Sequence, residues 1–245
     1  MNVILLDRHE VIGDAAAISG TRARHIREVL RAATGDHIRI GILDGALGVG
    51  LVGAVTPDRI DLTCRWDSDV RPEPRIDLLL ALPRPKVLKR LFAQIAALGV
   101  RRLMLTNAAR VERDYFDTHV LTAECYRPLL IEGLQQARDT RLPTISVHRQ
   151  FKVLVEDDLA RLSPDTLRIV THPGDNPSLH GLCIGADGRV LIAVGPEGGW
   201  NEFELTLLEK AGFARAGMGA RPLRSDTACV AVLALANDAL GARPV

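Results

Sequence analysis

From Ile76 onward the chain alternates short apolar runs with amphipathic helices, and that alternation leaves few architectures open. Ile76–Leu82 reads as a strand buried on both faces, as a parallel sheet requires. Lys86–Leu98 reads as a helix whose inner face carries Val87, Leu88, Leu91, Phe92, Ile95 and Leu98, with Lys86, Lys89 and Arg90 on its outer face. A short strand at Arg102–Leu105, a long helix over Asp117–Ala137, strands at Leu167–Thr171 and Val190–Val194, and helices at Glu202–Ala211 and Thr227–Leu240 continue the pattern. Such alternation predicts an α/β layered domain with a mainly parallel sheet.

The pattern before Arg71-Pro72-Glu73-Pro74 is different, and the paired prolines mark an extended linker. Ile38–Ile42 alternates, Asp44-Gly45 turns the chain, Leu47–Val55 alternates again, and Asp58–Cys64 supplies a further strand. Short strands with Gly and Asp turns predict a small β-barrel over residues 1–71, ahead of an α/β domain over 75–245. One helix, Ala23–Ala33, stands in the first part, with Ala23, Ile26, Val29, Leu30 and Ala33 on one side. Arg24, Arg27 and Arg31 line an adjacent stripe, either a solvated flank lying over the core or a set of phosphate contacts.

The 245 residues carry a net charge of only +1, so any nucleic-acid surface must come from local clustering of cations. Cys64, Cys125, Cys183 and Cys229 are far apart and the histidines form no HxxxH, so no metal site is expected and the thiols read as reduced. The N-terminus lacks a secretory pattern, and the most apolar stretch, Ala228–Leu240, is too short to cross a bilayer. The expectation is a soluble, cytoplasmic protein.

Two segments carry chemistry. Val190–Val194 runs into Gly195-Pro196-Glu197-Gly198-Gly199-Trp200-Asn201, a strand ending in a glycine-rich turn that opens a helix. Asn201 suits the N-cap and Glu204 completes a capping box. The second segment is Gly217-Met218-Gly219-Ala220-Arg221-Pro222-Leu223-Arg224-Ser225-Asp226-Thr227-Ala228, a loop opening onto the apolar terminal helix, which Ser225 or Asp226 can cap. The arginines of this loop suit structural ion pairs or the binding of a phosphate or polarised base. Neither segment has dinucleotide or P-loop spacing, and G-x-S-x-G is absent, which argues against a nucleotide-dependent oxidoreductase or a hydrolase.

In this order, the two loops resemble the SPOUT-class family that methylates N3 of a uridine in 16S ribosomal RNA. The likeness runs along the whole chain. His25, Val29-Leu30-Arg31, Gly35-Asp36 and Leu43-Asp44-Gly45 are similar to that family's PUA-like RNA-binding domain. Lys86 with Leu98-Gly99-Val100, Gln135-Gln136-Ala137-Arg138 with Arg141 and Pro143, and His172-Pro173 resemble further family motifs. The chain departs from the family's usual residues at Ala97, Leu134, Gln136, Ala137, Ala220 and Asp226.

The resemblance implies a PUA-like β-barrel followed by an α/β domain tied in a deep trefoil knot, and a homodimer to which the apolar terminal helix contributes. It implies S-adenosylmethionine as cofactor, held by Thr171, His172 and Pro173, by Gly195, Glu197, Gly198 and Gly199, and by Met218, Gly219, Leu223, Arg224 and Ser225. Backbone groups of these loops would take the adenine edge. Uracil N3 is a poor nucleophile until it loses its proton, so the reaction needs a base or cations facing the developing charge on O2 and O4. Arg138 and Arg224 suit charge stabilisation, with Glu197 or Asp226 as polar or basic partners; an acid at Glu197 also suits the helix N-terminus. Arg24, Arg27, Arg31, Lys86, Lys89 and Arg90 suit binding of 16S ribosomal RNA, free or within a small-subunit particle. The alternative is a non-catalytic RNA-binding module that dimerises through its α/β domain.

Overall fold

The computed structural model describes residues 3–183 and 188–241. The chain divides into two compact units. The first comprises residues up to Glu73 together with Leu134–Leu142, and the second comprises the remainder.

The first unit contains β1 (Ile4–Leu6), β2 (Val11–Ile12), β3 (Ala15–Ser19), α1 (Gly20–Glu28), β4 (His37–Ile42), β5 (Ala46–Val55) and β6 (Arg59–Val70). They form a six-stranded sheet in the order β1-β4-β5-β6-β3-β2, in which only β1 and β4 run parallel. The expected barrel is not closed: β1 and β2 remain as edges among the described residues. Period-two patterning sets the core. Ile38 and Ile40 turn inward while His37 and Arg39 are exposed, and β6 does the same with Ile60, Leu62 and Cys64. Ile26 of α1 closes the cluster, fully buried.

The helix differs from its sequence reading. It begins at Gly20 and ends at Glu28, and Arg31 adopts a left-handed φ of 53°. The break shifts the phase of the residues beyond it: Ala32 is buried, whereas Val29 and Ala33 face solvent. Arg31 therefore lies outside the helix, and the three arginines do not form one helical stripe.

The second unit contains β7 (Ile76–Ala81), α2 (Pro85–Ala97), β8 (Val100–Thr106), α3 (Ala123–Ala137, its last turn falling in the first unit), β9 (Thr144–His148), α4 (Phe151–Val153), α5 (Leu159–Leu162), β10 (Thr166–Thr171), α6 (Leu179–Cys183), β11 (Arg189–Val194), α7 (Glu202–Lys210), β12 (Ala214–Ala216) and α8 (Ser225–Ala239). Its sheet is wholly parallel, in the order β12-β10-β11-β7-β8-β9. β7 is buried along its length, as its apolar run requires, and its one acid is neutralised: Asp77 accepts from Arg101 at 3.0 and 3.2 Å and from Ser163 at 2.6 Å. Helix α3 starts six residues later than Asp117, because Thr118 caps a short 3-10 turn in between.

Cys64 and Cys229 are buried and Cys125 is partly so, all three unpaired; the Cys183 side chain lies outside what is described. No helix among the described residues is long and apolar enough to cross a membrane.

Candidate active site

Ligands of parallel sheets sit beyond the carboxyl ends of the strands. There, the ends of β10, β11 and β12 and the loops that extend from them line a cavity of about 430 Å³. That volume suits a small organic molecule. The cavity gathers Thr171, His172 and Pro173 from the first loop, Gly195, Glu197, Gly198 and Gly199 from the second, and Met218, Gly219, Leu223 and Ser225 from the third. The first and third loops are joined by backbone hydrogen bonds: His172 N–H donates to the Ala216 carbonyl at 3.0 Å, Gly217 N–H to Pro177 at 2.8 Å, and Leu179 N–H to Gly217 at 3.1 Å. Arg224, the remaining residue of the expected cofactor set, lines a neighbouring hollow of about 540 Å³ with Arg84, Val87, Glu197, Pro222 and Leu223. Glu197, Pro222 and Leu223 thus border both spaces.

The second loop is held from behind. Asn201 caps α7, its side chain accepting from Glu204 N–H while the Glu204 carboxylate accepts from Asn201 N–H, each at 2.8 Å. With the capping done by that pair, Glu197 serves no cap; it lies 3.7 Å from Arg84, which precedes α2. Trp200 is buried and stacked on Phe151, with ring centroids 5.3 Å apart. Its indole N–H and the Nδ1 of His172 are buried without partners among the described residues, although both residues line the cavity. Unmet buried polar atoms cost free energy, which a ligand with matching acceptors or donors offsets. A Cβ on Gly195 would stand 3.1 Å from the Trp200 ring, so glycine is what brings the indole against the loop. Gly219, with φ of 106°, has a backbone that side chains disfavour.

At the start of α8 neither expected cap is used. Arg224 occupies the N-cap position with extended backbone, Ser225 is buried, and the Asp226 carboxylate accepts from Thr227 N–H at 2.9 Å and meets Arg90 at 3.3 Å. Burial, with Asp226 nearby, pushes the Cys229 thiol up to about 12, so it stays protonated and is no nucleophile. No group of three or more His, Cys, Asp or Glu capable of holding a metal exists among the described residues.

Arg138 is not among the residues lining either space. It is exposed, in a left-handed conformation at φ 54°, within the segment that packs with the first unit. Of the expected RNA-binding cations, Arg24, Arg31, Lys86, Lys89 and Arg90 are exposed, but Arg90 is paired with Asp226. Arg27 is half-buried and donates to the Pro57 carbonyl at 2.6 Å. The sequence reading missed Arg84 and Arg110, because both stand outside any periodic or glycine-bearing segment, and it read Trp200 only as part of a turn.

The class of protein is given by the sequence: residues 71–237 match the family described as RNA methyltransferase domain. The chain is 30% identical to the ribosomal RNA small subunit methyltransferase E of Treponema pallidum, across 97% of this chain and 92% of that one. It is 25% identical to the Synechocystis protein of the same name, across 94% of this chain and 75% of that one. The chain belongs to the ribosomal RNA small subunit methyltransferase E family. Its fold is shared by the Neisseria gonorrhoeae methyltransferase E crystallised with S-adenosyl methionine (TM-score 0.80, 18% identity, 97% of both chains). A probable rRNA-methyltransferase from Porphyromonas gingivalis is similar, with TM-score 0.79, 18% identity, and 98% and 99% of the two chains covered.

Proposed function

We propose that the 430 Å³ cavity holds S-adenosylmethionine and that the adjoining hollow receives a uridine of 16S ribosomal RNA, whose N3 is methylated. The observation that carries this reading is the shared wall: Glu197, Pro222 and Leu223 border both spaces, so two ligands would meet there. The cofactor supplies a methyl group on an electrophilic sulfonium. The cavity's fit to it rests on the unpartnered Trp200 N–H and His172 Nδ1 and on the glycine-lined wall.

In the second hollow, the Arg224 guanidinium makes no ion pair among the described residues and faces the charge that develops on the uracil oxygens as N3 loses its proton. The Glu197 carboxylate, beside Arg84, accepts that proton. Arg138 acts on the RNA side, from the PUA-like first unit, together with Arg24 and Arg31; Lys86 and Lys89 add phosphate contacts on α2. The loops after β10 and β12 belong to a SPOUT-class trefoil knot. The exposed Phe203, Leu223 and Leu235 contribute to a homodimer surface.

The test is transfer of labelled methyl from S-adenosylmethionine to small-subunit RNA. Native protein should label one uridine, Arg224→Ala should lower the single-turnover rate at saturating RNA with cofactor affinity unchanged, and native protein that labels no uridine would refute the reading.

A further inference from the structure

Arg110 lies between β8 and α3, in a segment without a motif, yet it lines the cavity. Two contacts hold it there. Its guanidinium donates to the Gly198 carbonyl. One residue before it, the Ala109 N–H donates at 2.6 Å to Oε1 of Glu204, which is 3% exposed. Glu204 thus does more than complete the capping box: one oxygen fastens the start of α7, and the other fastens the loop that carries Arg110. The path of the arginine also explains a glycine, since a Cβ on Gly198 would stand 2.6 Å from the Arg110 Cδ.

We infer that Arg110 clamps the carboxylate of the cofactor's amino-acid end, and that Glu204 is the residue that positions it; this rests on the cofactor reading above. The cofactor has one anionic group, its α-carboxylate, and a planar guanidinium binds a carboxylate through two parallel hydrogen bonds. Only one donor direction of Arg110 is spent on Gly198, and the residue is exposed at the cavity edge, so donors remain. The other arginine lining the cavity, Arg221, has no side-chain hydrogen bond among the described residues, whereas Arg110 is tethered before a ligand arrives. Preorganisation makes the tethered cation the better clamp. Arg84 and Arg224 line the neighbouring hollow and serve the substrate side.

The test is calorimetric binding of S-adenosylmethionine and of its decarboxylated analogue, which differ in that single group. Native protein should prefer the carboxylated ligand about tenfold or more, as a charge-assisted pair implies. Arg110→Ala should lose that preference while binding the decarboxylated ligand as the native protein does. Glu204→Gln can no longer accept both N–H groups, so it should reduce the preference in the native background and have no further effect on it in Arg110→Ala. Gly198→Ala, which displaces the Arg110 side chain without touching α7, should reduce it as well and serves if Glu204→Gln does not fold. Equal losses for both ligands, or an unchanged preference in Arg110→Ala, would overturn the inference. So would weakened RNA binding with a shallower salt dependence and intact cofactor affinity, which would give Arg110 to an RNA phosphate. Native protein that binds neither ligand would overturn the proposed function itself.

Discussion

The Thr140 hydroxyl, fully buried, donates to the Gly45 carbonyl at 2.7 Å, and the Thr140 carbonyl accepts from Asp44 N–H at 2.8 Å. Residues 95 apart in sequence are thereby joined, and around them Leu142 N–H donates to Asp44, Arg141 to the Arg71 carbonyl, and Val3 N–H to the Gln135 carbonyl. The segment Leu134–Leu142 is thus part of the first unit's fabric. Thr140→Val keeps the volume and removes the donor, leaving the Gly45 carbonyl without it. It should destabilise the protein by about 1–3 kcal/mol, read as a lower denaturant midpoint. An unchanged midpoint would mean that this contact carries little of the first unit's stability.

Acid should weaken the first unit through Glu10. Burial raises its carboxyl, but hydrogen bonds from Arg22 and the Asp7 N–H, with the Arg22 charge, outweigh burial and hold it below the ordinary carboxylate range. A carboxyl lowered on folding stabilises above its unfolded value, and that contribution fades as pH falls through the folded value. Glu10→Gln should therefore be less stable than native at pH 7, by about 1.5 kcal/mol given the partial exposure of Arg22, and the gap should close toward low pH. Thermal melts across that range check it; a gap that stays constant would contradict it.

Helix α8 separates core from surface cleanly. Val232 is fully buried, whereas Leu235 is 36% exposed. Val232→Asp should unfold the chain or cost more than about 4 kcal/mol, since it buries an unpaired charge. Leu235→Glu should leave the fold intact and shift sedimentation from dimer to monomer. A native monomer at micromolar concentration would remove the homodimer from the account.

The loss on removing a cation should follow how free its guanidinium or ammonium group is. Removing Arg24 or Lys86, both exposed, should weaken RNA binding and flatten its log–log salt dependence by roughly one unit per lost contact, with cofactor affinity unchanged. Arg27→Ala should change the salt slope less, because its guanidinium is already bonded to Pro57. Salt titrations that rank Arg27 with or above Arg24 would contradict this.

These contrasts show what the sequence made legible. The parallel sheet was readable because β7 and β11 are apolar apart from Asp77 and Arg189, and two of the three cavity loops because a glycine comes directly after β11 and after β12. The end of α1 was not, because Arg31 takes a left-handed φ of 53° with no glycine to signal it. The place of Arg138 was not, because long-range bonds such as Thr140 to Gly45 have no local periodicity. Arg110 was hidden for a related reason: its tethers, Gly198 and Glu204, lie about ninety residues away and leave no trace in its own segment.

The measurement that bears most directly on the central claim is mass mapping of modified uridines in small-subunit ribosomal RNA from cells lacking this protein. One N3-methyluridine should disappear, the native gene should restore it, and Arg224→Ala should restore it poorly although the protein accumulates. An unchanged set of modified uridines in the absence of the protein would contradict that claim.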